Sequence, residues 1–268
     1  MSFVPSGLLS FSSDFGGLGP YEGQMRGAAL SAAPGVRVVD LWHGVPPQGV
    51  KPAAVFLPRM WRTFPAGTVH VAVVDPGVGT ERAALVVSWR GFLLVGPDNG
   101  LFTVPLREGG EVRRLDPVEQ GGPGLSATFH GRDLFAPAGA RLAVGRLAWE
   151  ELPPFSGNPV LLDLPGAKEL PGGGIAGEVL LVDPFGNLVT SLESAALPAP
   201  GREGGKGGKV EILGRQVPFL ETYGRAERGS LLALIGSFGF LEVACREGSA
   251  REELGAAEGT EVRFLPGP

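Results

Sequence analysis

Residues 69–82 read VHVAVVDPGVGTER. The first six are almost continuously apolar and mostly β-branched, the pattern of a strand buried on both faces of a parallel sheet. The run ends at Asp75, a Pro-Gly-Val-Gly loop follows, and Arg82 comes next after Thr80 and Glu81. Working outward, residues 7–12 (GLLSFS) form a second apolar run that opens into Ser13-Asp14-Phe15-Gly16, and residues 36–41 (VRVVDL) form a third. Residues 20–33 carry helical spacing and stop before Pro34-Gly35, and residues 50–63 predict another helix despite Pro52 and Pro58. Residues 84–88 and 92–95 flank Trp89-Arg90-Gly91 as a hairpin. Strands alternating with helices predict an α/β domain with a largely parallel sheet over residues 1–165.

The texture then changes. Residues 164–174 (LPGAKELPGGG) have the composition of a linker, placed at 166–175. Residues 176–268 hold short apolar runs at 178–182, 209–213, 231–235, 241–244 and 261–265, with one short helix expected near 249–254. Such spacing predicts a smaller β-barrel or sandwich domain. Residues 198–208, rich in Pro and Gly, read as a loop between two of its strands.

Composition narrows the function. The chain has 268 residues, is 43% hydrophobic and 19% charged, and so has material for a core despite 44 glycines and 25 prolines. Its formal charge is −5 and no basic run tracks a phosphate backbone, which argues against nucleic acid as a partner. No apolar run approaches the roughly 20 residues that cross a bilayer. Cys245 is the one cysteine, so neither an internal disulfide nor a multi-thiolate zinc site is expected. The N-terminal residues lack the basic stretch of a secretory signal, and a cytoplasmic location is expected. The three asparagines, Asn99, Asn158 and Asn187, fit a protein from hot conditions, although base composition of the genome explains such scarcity equally well.

Asp14, Asp75, Asp98 and Asp183 each end or follow an apolar run. Ligands of α/β sheets sit beyond the carboxyl ends of strands, so these acids are candidates for one pocket, against the alternative that each starts a turn. In residues 73–82, Gly77 and Gly79 admit close backbone approach to a ligand, while an Asp75–Arg82 pair that merely braces the loop is the competing reading. His130 lies in Thr128-Phe129-His130-Gly131-Arg132-Asp133, ahead of a helix-like run at 132–143, where a neutral imidazole can hold or deprotonate a water. His70, inside its strand, reads as a satisfied core residue. Asp40 and His43 have metal-ligating chemistry, but no second histidine sits at a metal-binding spacing, and no metal is expected. Asp183-Pro184-Phe185-Gly186-Asn187 offers a flat ring and an amide, which suit a planar base by stacking and edge hydrogen bonds; it is also an ordinary turn sequence.

Taken together, these segments resemble the SAM hydroxide adenosyltransferase family, whose relatives include fluorinase and chlorinase. The resemblance runs through Ser13-Asp14-Phe15-Gly16, Tyr21-Glu22-Gly23-Gln24-Met25-Arg26-Gly27, Val39-Asp40-Leu41-Trp42-His43, Asp75-Pro76-Gly77-Val78-Gly79, Gly96-Pro97-Asp98-Asn99-Gly100, Thr128-Phe129-His130-Gly131-Arg132, Asp183-Pro184-Phe185-Gly186-Asn187 and Gly236-Ser237-Phe238-Gly239-Phe240-Leu241-Glu242. It implies an N-terminal α/β domain, a C-terminal β-barrel, and a homotrimer whose pockets form between neighbouring subunits. It also implies hydrolysis of S-adenosyl-L-methionine (SAM) to adenosine and methionine by attack at the ribose 5′ carbon, with SAM as substrate and no cofactor. The family's catalytic Asp, Arg and His fall on Asp75, Arg82 and His130. Its substrate contacts fall on Asp14 (ribose), Asp183 (methionine amine), Asn187 (adenine edge) and Ser237 (methionine carboxylate), with Phe185 as the stacking face.

Departures from the halogenating relatives bear on the reaction. Their halide-holding Thr and Ser correspond to Val78 and Gly131, and two of their tyrosines to Asp75 and His130. Their long insertion is missing between Ser88 and Pro97, and Phe238 stands where they have an Arg. A carboxylate at the nucleophile site repels halide, so water is the expected nucleophile. The alternatives are a SAM-dependent halogenase, a SAM- or adenosine-binding protein without turnover, and a metal-dependent hydrolase.

Overall fold

The computed structural model describes residues 3–17, 19–121, 124–200 and 208–267. The chain divides into two compact units, Met1–Asp163 and Leu164–Pro268.

In the first unit, strands β1 (Leu8–Ser13), β2 (Arg37–Trp42), β3 (Val69–Val73), β4 (Ala84–Trp89), β5 (Phe92–Pro97) and β6 (Glu111–Arg114) form one sheet in the order β2-β1-β3-β5-β4-β6. The pairs β1–β2, β1–β3 and β3–β5 are parallel, and β4 runs antiparallel to both β5 and β6. The alternation of β3 shows why its sequence is apolar throughout. Val69, Val71 and Val73 join a core that includes Met25, Ala29, Leu134 and Leu142, whereas Ala72 and Val74 join one with Ala53, Leu57 and Trp61. The sheet is therefore covered on both faces, by α1 (Tyr21–Ala32) and a later helix at Ala136–Ala143 on one side and by α2 (Val50–Trp61) on the other.

Helix α1 buries Glu22, Met25 and Ala29, a stripe at helical spacing. Pro52 lies in the first turn of α2, where a missing N–H is harmless, and Pro58 lies inside the helix, buried beside Leu57 and Trp61. Arg90 and Gly91 take positive φ of 51° and 82°, the geometry of a two-residue hairpin turn between β4 and β5.

In the second unit the strands are β7 (Lys168–Glu169), β8 (Ile175–Val182), β9 (Leu188–Glu193), β10 (Lys209–Ile212), β11 (Arg215–Pro218), β12 (Leu231–Ile235), β13 (Phe240–Cys245) and β14 (Glu261–Leu265). Their order is β11-β10-β14-β8-β9-β13-β12, with β7 beside β8, and every strand pair is antiparallel. The two ends of this path meet where Phe219 bridges Ala233 and Leu220 N–H donates to the Ala233 carbonyl at 2.8 Å, so the sheet closes into a near-complete barrel rather than a sandwich. Val179, Leu188, Val210, Phe219, Leu241, Val243 and Phe264 fill its interior. Residues 164–174, expected as pure linker, contribute β7. The short helix Ala250–Leu254 starts at Ser249, whose hydroxyl accepts the Glu252 N–H at 3.2 Å. The loop expected at 198–208 falls mainly on 201–207, outside the described residues.

Candidate active site

The parallel strands of the first unit end together, and their C-terminal loops carry the site. A cavity of about 740 Å³ is lined by Asp14 and Phe15 after β1, Tyr21 and Gln24 of α1, Gln48, Asp75 and Val78 after β3, and residues 128–132. Asp14, Asp75 and His130, far apart in sequence, thus share one chamber. Asp98 does not: its Oδ1 accepts the Val160 N–H at 2.8 Å, a loop-bracing role. Its neighbour Asn99 matters more than the sequence signalled. The Asn99 side chain donates to the Val74 carbonyl at 2.8 Å, fixing the strand end immediately before Asp75.

Asp75, Arg82 and His130 form a hydrogen-bonded set. Arg82 Nε donates to Asp75 Oδ1 at 2.9 Å, and Arg82 Nη2 donates to Asp75 Oδ2. The same Nη2 lies 2.8 Å from His130 Nδ1. Arginine has no acceptor, so Nδ1 receives this bond and the hydrogen of the neutral ring sits on Nε2. Burial first, and then the Arg82 charge, hold the His130 pKa below its ordinary value despite the carboxylates of Asp75 and Asp133. Arg82 stands behind the other two, with its side chain only 9% exposed and its guanidinium 5.4 Å from the centre of the Phe135 ring. The far side of Arg82 opens to a smaller cavity of about 330 Å³.

Two local features hold this set. First, Gly79 takes φ 78°, and a Cβ there would stand 2.5 Å from the Ala127 carbonyl oxygen. Gly79 therefore serves the approach of the 76–80 loop to the 125–129 loop, a protein contact where the sequence indicated a ligand contact. Second, the helix-like run at 132–143 begins with a π-helical turn at Gly131–Phe135 before the α-helix Ala136–Ala143. Such turns are common at functional sites and set His130 at the helix start facing the cavity. Nothing in the hydrophobic periodicity distinguishes them from an α-turn.

An aromatic wall also escaped the sequence. Phe15, Tyr21 and Phe129 pack edge-on or tilted, with ring centres 5.4–5.8 Å apart. Arg132 covers Phe129 at 5.0 Å while pairing with Asp133 and Gln24. Val78 and Gly131 both line the cavity, so no hydroxyl side chain stands at these two positions. A Cβ on Gly131 would meet Val73 at 3.2 Å and Phe129 at 3.3 Å, which leaves little room for a serine. Among the described residues no group of three His, Cys, Asp or Glu is arranged to hold a metal ion. Asp40 and His43 are instead joined to each other and to Arg26 and Ser13 by hydrogen bonds.

The remaining candidates lie in the second unit. Asp183 Oδ1 accepts the backbone N–H groups of Phe185 and Asn187, each at 2.9 Å, and Oδ2 accepts Asn187 Nδ2 at 2.9 Å. This leaves the side-chain Oδ1 of Asn187 as an acceptor, and it leaves the Phe185 ring bare, 77% exposed. Phe185 and Asn187 line a cavity of about 490 Å³ with Tyr223, Cys245 and Glu247. Below it the Tyr223 hydroxyl donates to the buried carboxyl of Glu242, which burial and the Asp183 charge hold above the usual carboxylate range. Ser237 sits exposed in the turn between β12 and β13 and does not line this cavity.

An α/β unit with an acid, a guanidinium and an imidazole at its strand ends, together with an antiparallel barrel, defines a two-part enzyme architecture. The sequence matches the SAM hydroxide adenosyltransferase N-terminal domain over residues 9–152 and the C-terminal domain over 177–263, and the chain belongs to that family. It is 44% identical to an (R)-S-adenosyl-L-methionine hydrolase of Thermus thermophilus, across 95% of this chain and 98% of that protein. A fluorinase of Actinopolyspora mzabensis is more distant, at 27% identity with 96% of each chain covered. A crystal structure of an uncharacterized conserved protein from Thermotoga maritima superposes with a TM-score of 0.85 at 30% identity, covering 96% of this chain and 99% of that one.

Proposed function

We propose that this chain hydrolyses SAM to adenosine and L-methionine, with Asp75, Arg82 and His130 as the catalytic set. The observation that carries this reading is the direction of the hydrogen bonds. Arg82 occupies Nδ1 of His130, so His130 presents an Nε2–H donor, and Nε2 has no partner among the described residues. A guanidinium and a neutral N–H donor stabilise an oxygen that is gaining negative charge; they do not hold a base. Water oxygen attacks the 5′ carbon as the carbon–sulfur bond breaks, its electron pair stays on sulfur, and methionine departs neutral. The proton leaves to solvent, so the attacking species is in effect hydroxide. Attack on a cationic sulfonium annihilates charge, which a closed site favours. Asp75 fixes the guanidinium through both its oxygens.

Asp14 binds the ribose hydroxyls. Its Oδ2 is anchored by the Gln48 N–H at 2.8 Å, and its other oxygen is available to the ligand. Asp183, Phe185, Asn187 and Ser237 take the methionine amine, the adenine face, the adenine edge and the methionine carboxylate. These contacts come from a neighbouring copy in a cytoplasmic homotrimer, a reading supported by the family resemblance and by the bare Phe185 ring. The enzyme uses no cofactor or metal. The 44% identity to a Thermus protein and the scarcity of asparagine support an origin in a hot environment.

The direct test is product analysis. Incubation with SAM is expected to release adenosine and methionine in equal amounts, and added chloride or fluoride to give no 5′-halogenated nucleoside by mass spectrometry. A halogenated product would transfer the chain to the halogenases, and the absence of turnover would leave a binding protein. For the shared pocket, the test is mixing. Arg82→Met and Asn187→Ala chains, each inactive alone, should regain activity after dissociation and reassembly together; no recovery would place both residues in a pocket built by one copy.

A further inference from the structure

We propose that His43 is a positioning residue: through Ser13 and Asp40 it locks the loop that carries Asp14 to the ends of β1, β2 and helix α1. The proposal deepens the assignment of Asp14 to the ribose and rests on that reading. The four side chains form an unbroken chain of hydrogen bonds. Arg26 Nε meets Asp40 Oδ1 at 3.0 Å, the same oxygen meets His43 Nε2 at 2.9 Å, and His43 Nδ1 meets the Ser13 hydroxyl at 2.7 Å. Asp40 accepts, so Nε2 donates to it while Nδ1 meets the Ser13 hydroxyl; the ring works as a rod between the two.

The backbone follows the same path. Gly16 N–H donates to the His43 carbonyl at 2.8 Å, Val45 N–H to the Ser13 carbonyl at 3.3 Å, and Gln48 N–H to Asp14 Oδ2 at 2.8 Å. Gln48 holds φ 60°, an uncommon conformation for a residue with a side chain, and this conformation accompanies its bond to Asp14. Residues 43–48 therefore clamp residues 13–16 from one side, and α1, which also supplies Tyr21 and Gln24 to the cavity, is tied in through Arg26.

Ser, His and Asp in hydrogen-bonded order invite comparison with a nucleophilic triad. Burial decides against it. Ser13 has no exposed surface, so its hydroxyl cannot reach a substrate, and it serves only to orient the ring. The contributions are graded by exposure. The His43 side chain is 10% exposed, whereas Asp40 and Arg26 are 37% and 42% exposed. The outer ion pair thus contributes little, and the inner Ser13–His43 contact contributes most.

Because Asp14 grips the ribose equally before and during reaction, losing its lock weakens binding without slowing the chemical step. His43→Leu is expected to raise the adenosine Kd and the SAM KM about five- to tenfold, leaving kcat within about twofold. Ser13→Ala should reproduce the effect, and Arg26→Met should change affinity less than about twofold. Amide hydrogen exchange of the His43→Leu protein should accelerate in residues 13–17 and 43–48 while β3 and β5 stay protected. In an Asp14→Ala background, His43→Leu should add nothing further to the adenosine Kd. Unchanged exchange in both loops, a fall in kcat at constant KM, or full additivity in the double variant would overturn the proposal. Unchanged adenosine affinity in Asp14→Ala alone would instead sink the ribose assignment, and the exchange data would still decide whether His43 holds the loop.

Discussion

Replacing Arg82 by Met should lower kcat about 10²–10³-fold while SAM affinity stays within a few-fold. Arg82 makes both oxygens of Asp75 acceptors in one plane and uses the same Nη2 to fix His130, so its loss dismantles the whole set. The reacting oxygen loses a positive charge, and His130 is freed to change tautomer. Asp14 remains anchored by Gln48, which is why binding survives. Arg82→Lys should recover little, because one ammonium cannot serve a carboxylate bidentately and an imidazole together. The Asp75 side chain is only 5% exposed, so stripping it of its partner also threatens folding. His130→Gln provides the control, since it leaves the Asp75–Arg82 pair intact and should still lose turnover. A melting curve, single-turnover kinetics and calorimetry on each variant separate these effects. Near-native kcat in folded Arg82→Met would remove Arg82 from the catalytic set. The depressed pKa of His130 adds a pH signature: the wild-type rate should show no acid limb at the ordinary histidine value near pH 6.5.

The second large effect concerns stability in acid and arises from His70. This ring has no exposed surface. It stacks on Trp61 at 5.6 Å, with Phe64 and Phe92 edge-on at 5.1 Å, and burial lowers its pKa to about 3. Nδ1 contacts the Ser10 hydroxyl at 2.6 Å, but Nε2 has no partner among the described residues, so the ring is not the fully satisfied core histidine the sequence indicated. The unfolded chain takes up a proton below about pH 6.5, and the folded one does so only near pH 3. Stability is therefore complete above the unfolded pKa and falls as pH drops through this window, by about 1.4 kcal/mol per unit and about 4–5 kcal/mol in all. Urea unfolding at pH 7, 5.5 and 4 should show this slope, and His70→Leu should be shallower by close to one proton. Equal slopes in the two proteins would show that His70 titrates normally in the fold.

The sheet of the first unit was legible because burial on both faces writes itself into the sequence. The run at 69–74, the hairpin at 84–95 and the helices around Met25 and Leu57 all follow from apolar pattern. Strands β6, β9 and β11 were not legible. EVRR, LVTSLE and RQVP are short, charged or half polar, and become strands through pairing with distant neighbours. The same distinction holds at the site. Asp14, Asp75 and His130 stand at strand ends or in turn-prone loops and could be singled out individually; that they share a cavity depends on sheet order. The Ser13–His43 contact, the aromatic wall and the π-turn after His130 depend on tertiary geometry, for which no local pattern exists. The glycine signals were read in part: Gly79 was recognised as special, but the atom that approaches it belongs to Ala127.

Solvent oxygen, placed at His130 Nε2 with the Arg82 guanidinium behind the ring, is proposed to displace sulfur from the ribose 5′ carbon. Hydrolysis of SAM in ¹⁸O-labelled water, followed by mass spectrometry of both products, tests it directly. One heavy oxygen is expected in adenosine, at the 5′ hydroxyl, and methionine is expected unlabelled. Heavy homoserine alongside 5′-methylthioadenosine would place the attack on the other side of sulfur and contradict it.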